Sequence, residues 1–197
     1  MKIYLLKKSE EKGIQGMIEG IVRDGDPVIM QQMNLVPEIR AQWDTHHCKV
    51  RRLKIFSEKE DIMYLELKMP FPMSNRDFLL SRYFLNSDRH AEEIERLGFP
   101  KTENKRWVLM QHSVELQEYP TIKGIERAES ITLLSWEQDR ENPKVVYTKS
   151  MSQTTLKGKL PGSLVKMGIG KQFLKAHHTS VQAFQKHRAN WAKMIKK

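Results

Sequence analysis

The sequence predicts an α+β domain in which a curved antiparallel sheet wraps a long C-terminal helix. Three observations predict it. Roughly eight short runs of branched and aromatic residues, parted by polar or Gly/Pro turns, read as strands. Only two short helical patterns come early, opened by Pro27 and Pro37. The chain then ends in one long pattern with apolar residues at helical spacing. A sheet curled on itself and closed by a helix encloses an interior, and an interior left unfilled by side chains is a ligand cavity.

The elements follow in order. Ile3 to Lys7 is a short strand, and Ile14 to Val22 a second one with glycines marking a bend or close approach. Asp26 caps a helix with Pro27 at its first position, running to about Met33. Pro37 opens a short helix reaching Trp43. Lys49 to Phe56 and Ile62 to Lys68 are strands around the charged turn Ser57 to Asp61. Phe78 to Phe84 is the next strand. Ser87 or Asp88 caps a charged helix, Arg89 to Leu97, which Gly98 and Pro100 stop. Arg106 to Leu116, Ile125 to Trp136 and Lys144 to Met151 are the remaining strands. In the last helix Phe173, Leu174, His177, Val181, Phe184, Arg188, Trp191 and Ile195 form one stripe, and Gly168 and Gly170 kink or delay its start.

Length bounds the answer: 197 residues make one domain, 1–197, with a substantial core. The single cysteine, Cys48, forms no internal disulfide and suits a reducing compartment. The N-terminal apolar run is too short for a signal peptide, and no stretch reaches membrane-spanning length. The expectation is a cytoplasmic monomer. Net charge is +10, yet the residues after Glu141 carry eleven lysines, one arginine and no acid, leaving the rest of the chain at −2. Such a basic end fits an anionic membrane surface or a nucleic acid. No aromatic and basic interleaving on a strand favours nucleic acid, so none is expected as a partner.

The most informative stretch is Glu66 to Phe84. It places the stiff apolar loop Met69-Pro70-Phe71-Pro72-Met73 between two strands. An apolar loop is unusual, since loops normally face water. Glu66 and Arg82 sit on the two otherwise apolar strands, where they can meet across the ladder. A buried ion pair is costly to desolvate and seldom exists for stability alone. The bland alternative is a pair on a wet sheet face.

PFPMSNRDF, with the upstream Arg40-Ala41-Gln42-Trp43-Asp44, resembles the START (StAR-related lipid-transfer) domain, and the loop wording is most similar to its phosphatidylcholine-transfer branch. The resemblance runs from Ile3 into the final helix. It implies the helix-grip fold, a hollow interior holding one lipid, and a further helix ahead of the first strand. It implies that Glu66 and Arg82 line the pocket and orient a lipid head or hydroxyl. It implies that Arg40 contacts a lipid phosphate, with Asp44 holding it, since a planar guanidinium binds phosphate oxygens in pairs. Against this stands a purely structural role in which Trp43 packs in the core and Arg40 and Asp44 brace the helix. Arg76 and Asp77 are expected to lock the loop-to-strand junction. Phe78 and a cavity-facing His112 complete the candidate ligand set, although a satisfied core histidine is the plainer reading of His112. The choline-binding pattern is not met, because Leu65 stands where an aromatic ring is expected and the last strand offers only Tyr147.

The resemblance also implies a gate in which Met69, Phe71 and Met73 touch the bilayer while Lys171, Lys175 and Lys186 meet anionic headgroups. The structural alternative is that the loop merely covers core. His46, His47 and Cys48 are adjacent and do not face one site, so no metal is expected. No cofactor, phosphate-binding glycine loop or nucleophile elbow is read. The expected function is transfer of one lipid, a phospholipid, between membranes without catalysis. The alternatives are a sterol or ceramide carrier and an enzyme on the same fold, such as a polyketide cyclase, with Glu66 or His112 as acid–base group.

Overall fold

The computed structural model describes residues 2–5, 13–158 and 162–195. In chain order its elements are β1 (Lys2–Leu5), β2 (Ile14–Arg23), α1 (Pro27–Leu35), α2 (Pro37–Arg40), β3 (His47–Ile55), β4 (Glu60–Leu67), β5 (Asn75–Asn86), α3 (Ser87–Arg96), β6 (Lys105–Ser113), β7 (Ile125–Arg127), β8 (Glu129–Gln138), β9 (Val145–Thr155) and α4 (Gly162–Ile195). The strands form one sheet in the order β1-β2-β9-β8-β6-β5-β4-β3, antiparallel throughout, while β7 lies parallel to the start of β5. The α+β helix-grip arrangement expected from the sequence is the one found.

Local chemistry sets the boundaries. The Asp26 carboxylate accepts from Ile29 N (3.1 Å) at the start of α1, and Pro27 needs no amide partner there. Pro37 disfavours helix at Val36, which is extended, so α1 ends and α2 begins anew. α3 is capped by Asn86, one residue before the expected caps, through Arg89 N (3.1 Å). The single strand expected over Ile125 to Trp136 is two. At the break, Ala128 N donates to Asp77 O (2.9 Å), so the backbone changes its partner strand from β5 to β6. Gly168 and Gly170 lie within α4 and do not delay it. A helical glycine costs about 1 kcal/mol, which a long packed helix absorbs.

The sheet has two differently covered faces. On the concave face, Val22, Trp107, Leu109, Trp136 and Val146 pack with Met30, Met33 and Leu35 of α1 and with Phe184 and Trp191 of α4. Farther along that face Met63, Leu65, Phe78 and Leu80 form a second cluster. The alternate residues Leu85 and Val108 face the other way and pack under Ile94 of α3. α4, about 50 Å long at 1.5 Å per residue, is tied at its far end by Trp191 Nε1 donating to Gln42 Oε1 (2.8 Å). Gly20 of β2 lies close under α4. A Cβ there would sit 3.0 Å from Thr148 Oγ1 and 3.3 Å from His177 Nε2. Among the described residues no helix is long and apolar enough to cross a membrane.

Candidate functional site

The concave face carries a buried group of charges where α1 and α2 meet β3, β4 and β5. Arg82, fully buried, forks onto Asp61 through Nε (2.7 Å) and Nη2 (2.6 Å). Its remaining donors reach the carbonyls of Asn34 (2.8 Å) and Leu35 (3.2 Å) at the end of α1. Those carbonyls have no partner within the helix, so the arginine also caps α1. Arg52 lies 2.7 Å from the same Asp61 carboxylate. Burial pulls the Arg82 guanidinium below its ordinary value, and Asp61 offsets part of that.

Beside this triad Arg40 Nε donates to Asp44 (2.9 Å), and His47 Nδ1 stands 2.7 Å from the same carboxylate. Burial raises the Asp44 carboxyl, but His47 and Arg40 outweigh it and hold it well below the usual carboxylate range. Burial pushes His47 down, so the ring is neutral near pH 7. Three arginines therefore face two aspartates, and the group carries one uncompensated positive charge. Among the described residues Arg40 is hydrogen bonded only through Nε, leaving its two terminal nitrogens for another partner.

Next to these charges lies a cavity of about 180 Å³ between sheet, α1 and α4. Trp43, Trp136, Phe184, Met30 and Met33 form its apolar wall, and Thr148, Ser150, Ser180 and His177 the polar one. Trp43 is oriented by its Nε1 donating to Met33 O (3.0 Å). Burial also lowers the pKa of His177. The volume is below the roughly 300–1,000 Å³ of small-molecule pockets. A two-chain lipid exceeds that volume.

Strand parity corrects two expected site residues. Glu66 pairs in register with Asp77, whereas Arg82 pairs with Asp61. Side chains alternate along a strand, so Glu66 and Arg82 lie on opposite faces and do not meet. Glu66 is on the convex face, where Lys49 Nζ (2.7 Å) and Asn75 Nδ2 (2.8 Å) hold it. Burial raises its carboxyl, but Lys49 and Asn75 outweigh that and keep it below the usual range. His112 is likewise exposed on the convex face, because Trp107 and Leu109 take the inward positions of β6. Phe78 does lie on the concave face, within the second apolar cluster.

The junction residues behave as their chemistry dictates. Arg76 reaches Leu156 O (3.0 Å), Lys157 O (2.9 Å) and Ser74 O, tying the loop to the end of β9. Asp77 pairs with Arg127 (2.7 Å) and so fixes β7. Between the strands the loop holds Phe71 at 97 % exposure, while Met69 and Met73 are half-buried. Asn75 Oδ1 accepts from Met69 N (3.2 Å), linking the loop to Glu66. Lys175 and Lys186 are exposed, and Lys171 falls outside the residues whose side chains are described.

A family model for the START domain matches residues 6–190. The chain belongs to the START domain family. Two curated relatives, each called phosphatidylcholine transfer protein, are similar to this START domain. The mouse protein is 24 % identical over 125 residues, covering 64 % of this chain and 52 % of its own length. The human protein is 27 % identical over 94 residues, covering 48 % and 43 %. The chain spans about half the length of the curated relatives it matches. Solved structures share the fold. Human STARD10 is 20 % identical with a TM-score of 0.74, over 99 % of this chain and 77 % of that one. Human StAR-related lipid transfer protein 5 is 15 % identical with a TM-score of 0.76, over 94 % and 82 %.

Asp61, Arg52 and Gln111 were not singled out by the sequence. Asp61 reads as part of a charged turn, yet it is two residues before the inward Met63 and shares its face.

Proposed function

We propose that this START domain takes up one phospholipid between the concave face and α4 and carries it between membranes. The observation that carries this is the buried, unbalanced charge group beside an aromatic-lined cavity. A buried charge without a partner is strongly unfavourable, so a bound anion completes the site. A phosphodiester supplies that charge, and the terminal nitrogens of Arg40 are the donors left to meet it. The transfer activity in the names of the two curated relatives supports the same reading.

Driving force comes from the acyl chains, at about 0.8 kcal/mol per buried methylene. Exchange needs a surface that favours the open form over the closed one. The exposed Phe71 enters the bilayer interface, and the basic α4 with Lys175 and Lys186 is drawn to anionic headgroups, at about 1 kcal/mol per basic residue. The protein works as a cytoplasmic monomer that touches the membrane transiently, with no covalent step. The test is transfer of a fluorescent phospholipid between vesicles. Wild type should transfer in proportion to its concentration, and the Arg40→Leu variant should lose at least nine-tenths of that rate. Fluorescent sterol or ceramide moving while phospholipid stays would overturn the phospholipid assignment, and no transfer of any lipid would overturn the carrier itself.

A further inference from the structure

The concave face has a polar row that the charge group does not use up. In register, Asp61 stands opposite Arg82, Arg82 opposite Gln111, Gln111 opposite Thr132, and Thr132 opposite Ser152. An apolar row of Phe84, Leu109 and Leu134 flanks it on one side; on the other, Met63 and Leu80 give way to Ser113, Ser130 and Thr154. Gln111, Thr132 and Ser152 keep accessible surface although they stand in the middle of the inward face. The backbone of the row is saturated by the ladders, so its side chains are what an occupant meets. Arg82 is spent on Asp61 and the α1 carbonyls. Thr132 Oγ1 is shared with Ser130 at 3.2 Å.

The Gln111 carboxamide oxygen is different: it is buried and has no hydrogen-bond partner among the described residues. A buried carbonyl oxygen is acceptor only, and leaving it unpaired is costly. Thr148 Oγ1, on the same wall and lining the cavity, is also buried and unpartnered. The Thr148 hydroxyl can donate or accept, so Gln111 Oε1 is the acceptor-only atom that a donor must meet. A trimethylammonium head has none to give, whereas ethanolamine and glycerol heads do.

We propose that the row Gln111–Thr132–Ser152 selects lipids whose polar end donates hydrogen bonds through a hydroxyl or an N–H, with Gln111 as the specificity-determining residue. This rests on the carrier reading above. A head lacking the donor leaves the Gln111 oxygen unpaired in the complex, which disfavours it by about tenfold or more.

The experiment offers purified protein vesicles holding equal amounts of dioleoyl phosphatidylcholine, phosphatidylethanolamine and phosphatidylglycerol, then identifies the captured lipid by mass spectrometry. The first two match in net charge and chains and differ at the head nitrogen, and the Gln111→Met variant separates the donor effect from head size. Ethanolamine and glycerol lipids should exceed the choline lipid by about tenfold. Gln111→Met, close in volume, should bring the ratio near one, and Thr132→Val should shift it the same way by less. Choline lipid captured equally or preferentially by wild type overturns the proposal, as does a preference that survives Gln111→Met. Capture of no lipid at all overturns the carrier reading, and this inference with it.

Discussion

Strands β4 and β5 carry two ionic networks back to back around buried charges, and they differ in balance. On the convex face Lys49 and Arg127 meet Glu66 and Asp77, two charges of each sign. Every carboxylate there is matched, and the network holds local structure: Asn75 and the loop through Glu66, β7 through Asp77. On the concave face Arg40, Arg52 and Arg82 meet only Asp44 and Asp61. The same residue types thus serve structure on one side and leave an unmet positive charge on the other. Parity alone separates them, since neighbouring residues on one strand face opposite ways.

The largest effect is expected at the centre of the concave network. Arg82→Met leaves Asp61 with Arg52 alone and strips the Asn34 carbonyl of its cap, while Arg52 still reaches Leu35 O (2.9 Å). Denaturant unfolding should show a loss of roughly 3–5 kcal/mol; a loss under 1 kcal/mol would mean that the network is not what holds α1 to the sheet. Arg40→Leu sharpens the contrast. It should cut phospholipid capture by more than tenfold while costing about 1–2 kcal/mol of stability, because His47 still serves Asp44. The convex counterpart reverses the pattern. Glu66→Gln should cost about 1 kcal/mol through the lost Lys49 contact and leave equilibrium capture unchanged. If it abolishes capture with the fold intact, the two networks are not separable.

Smaller effects follow from pH and from the loop. His47 and His177 have pKa values lowered by burial, so the unfolded chain binds more protons than the folded one below about 6.5. Their contribution is present above the unfolded pKa and is lost as pH falls toward the folded one. Stability measured by urea titration should decline from pH 7 to pH 5, and His177→Gln should flatten that decline. Phe71→Ser should change stability by less than about 0.5 kcal/mol, as the ring makes almost no internal contact. Its effect should appear only in vesicle binding, which should weaken.

Much of the fold was legible because patterning fixed it. The capped start of α1, the stop at Pro37 and the apolar stripe of α4 each rest on local chemistry that the sequence displays. The split of the Ile125 to Trp136 run was not legible, because it depends on Ala128 bonding to Asp77, a partner 51 residues earlier. The site was half legible. Arg40, Asp44 and Arg82 are buried among the concave-side charges, but the partner of Arg82 was misassigned. The missing signal was the hairpin centre. Counting outward symmetrically from Phe71 and Pro72 puts Arg82 opposite Asp61 and Glu66 opposite Asp77. Gln111 gave no local signal, since an unpaired amide is visible only once its neighbours are in place.

Native mass spectrometry of the protein after exposure to phospholipid vesicles tests the central claim most directly. One phospholipid mass per chain is the expected result for wild type, together with its loss in Arg40→Leu. A bare chain from every vesicle composition, with the fold intact, would contradict it.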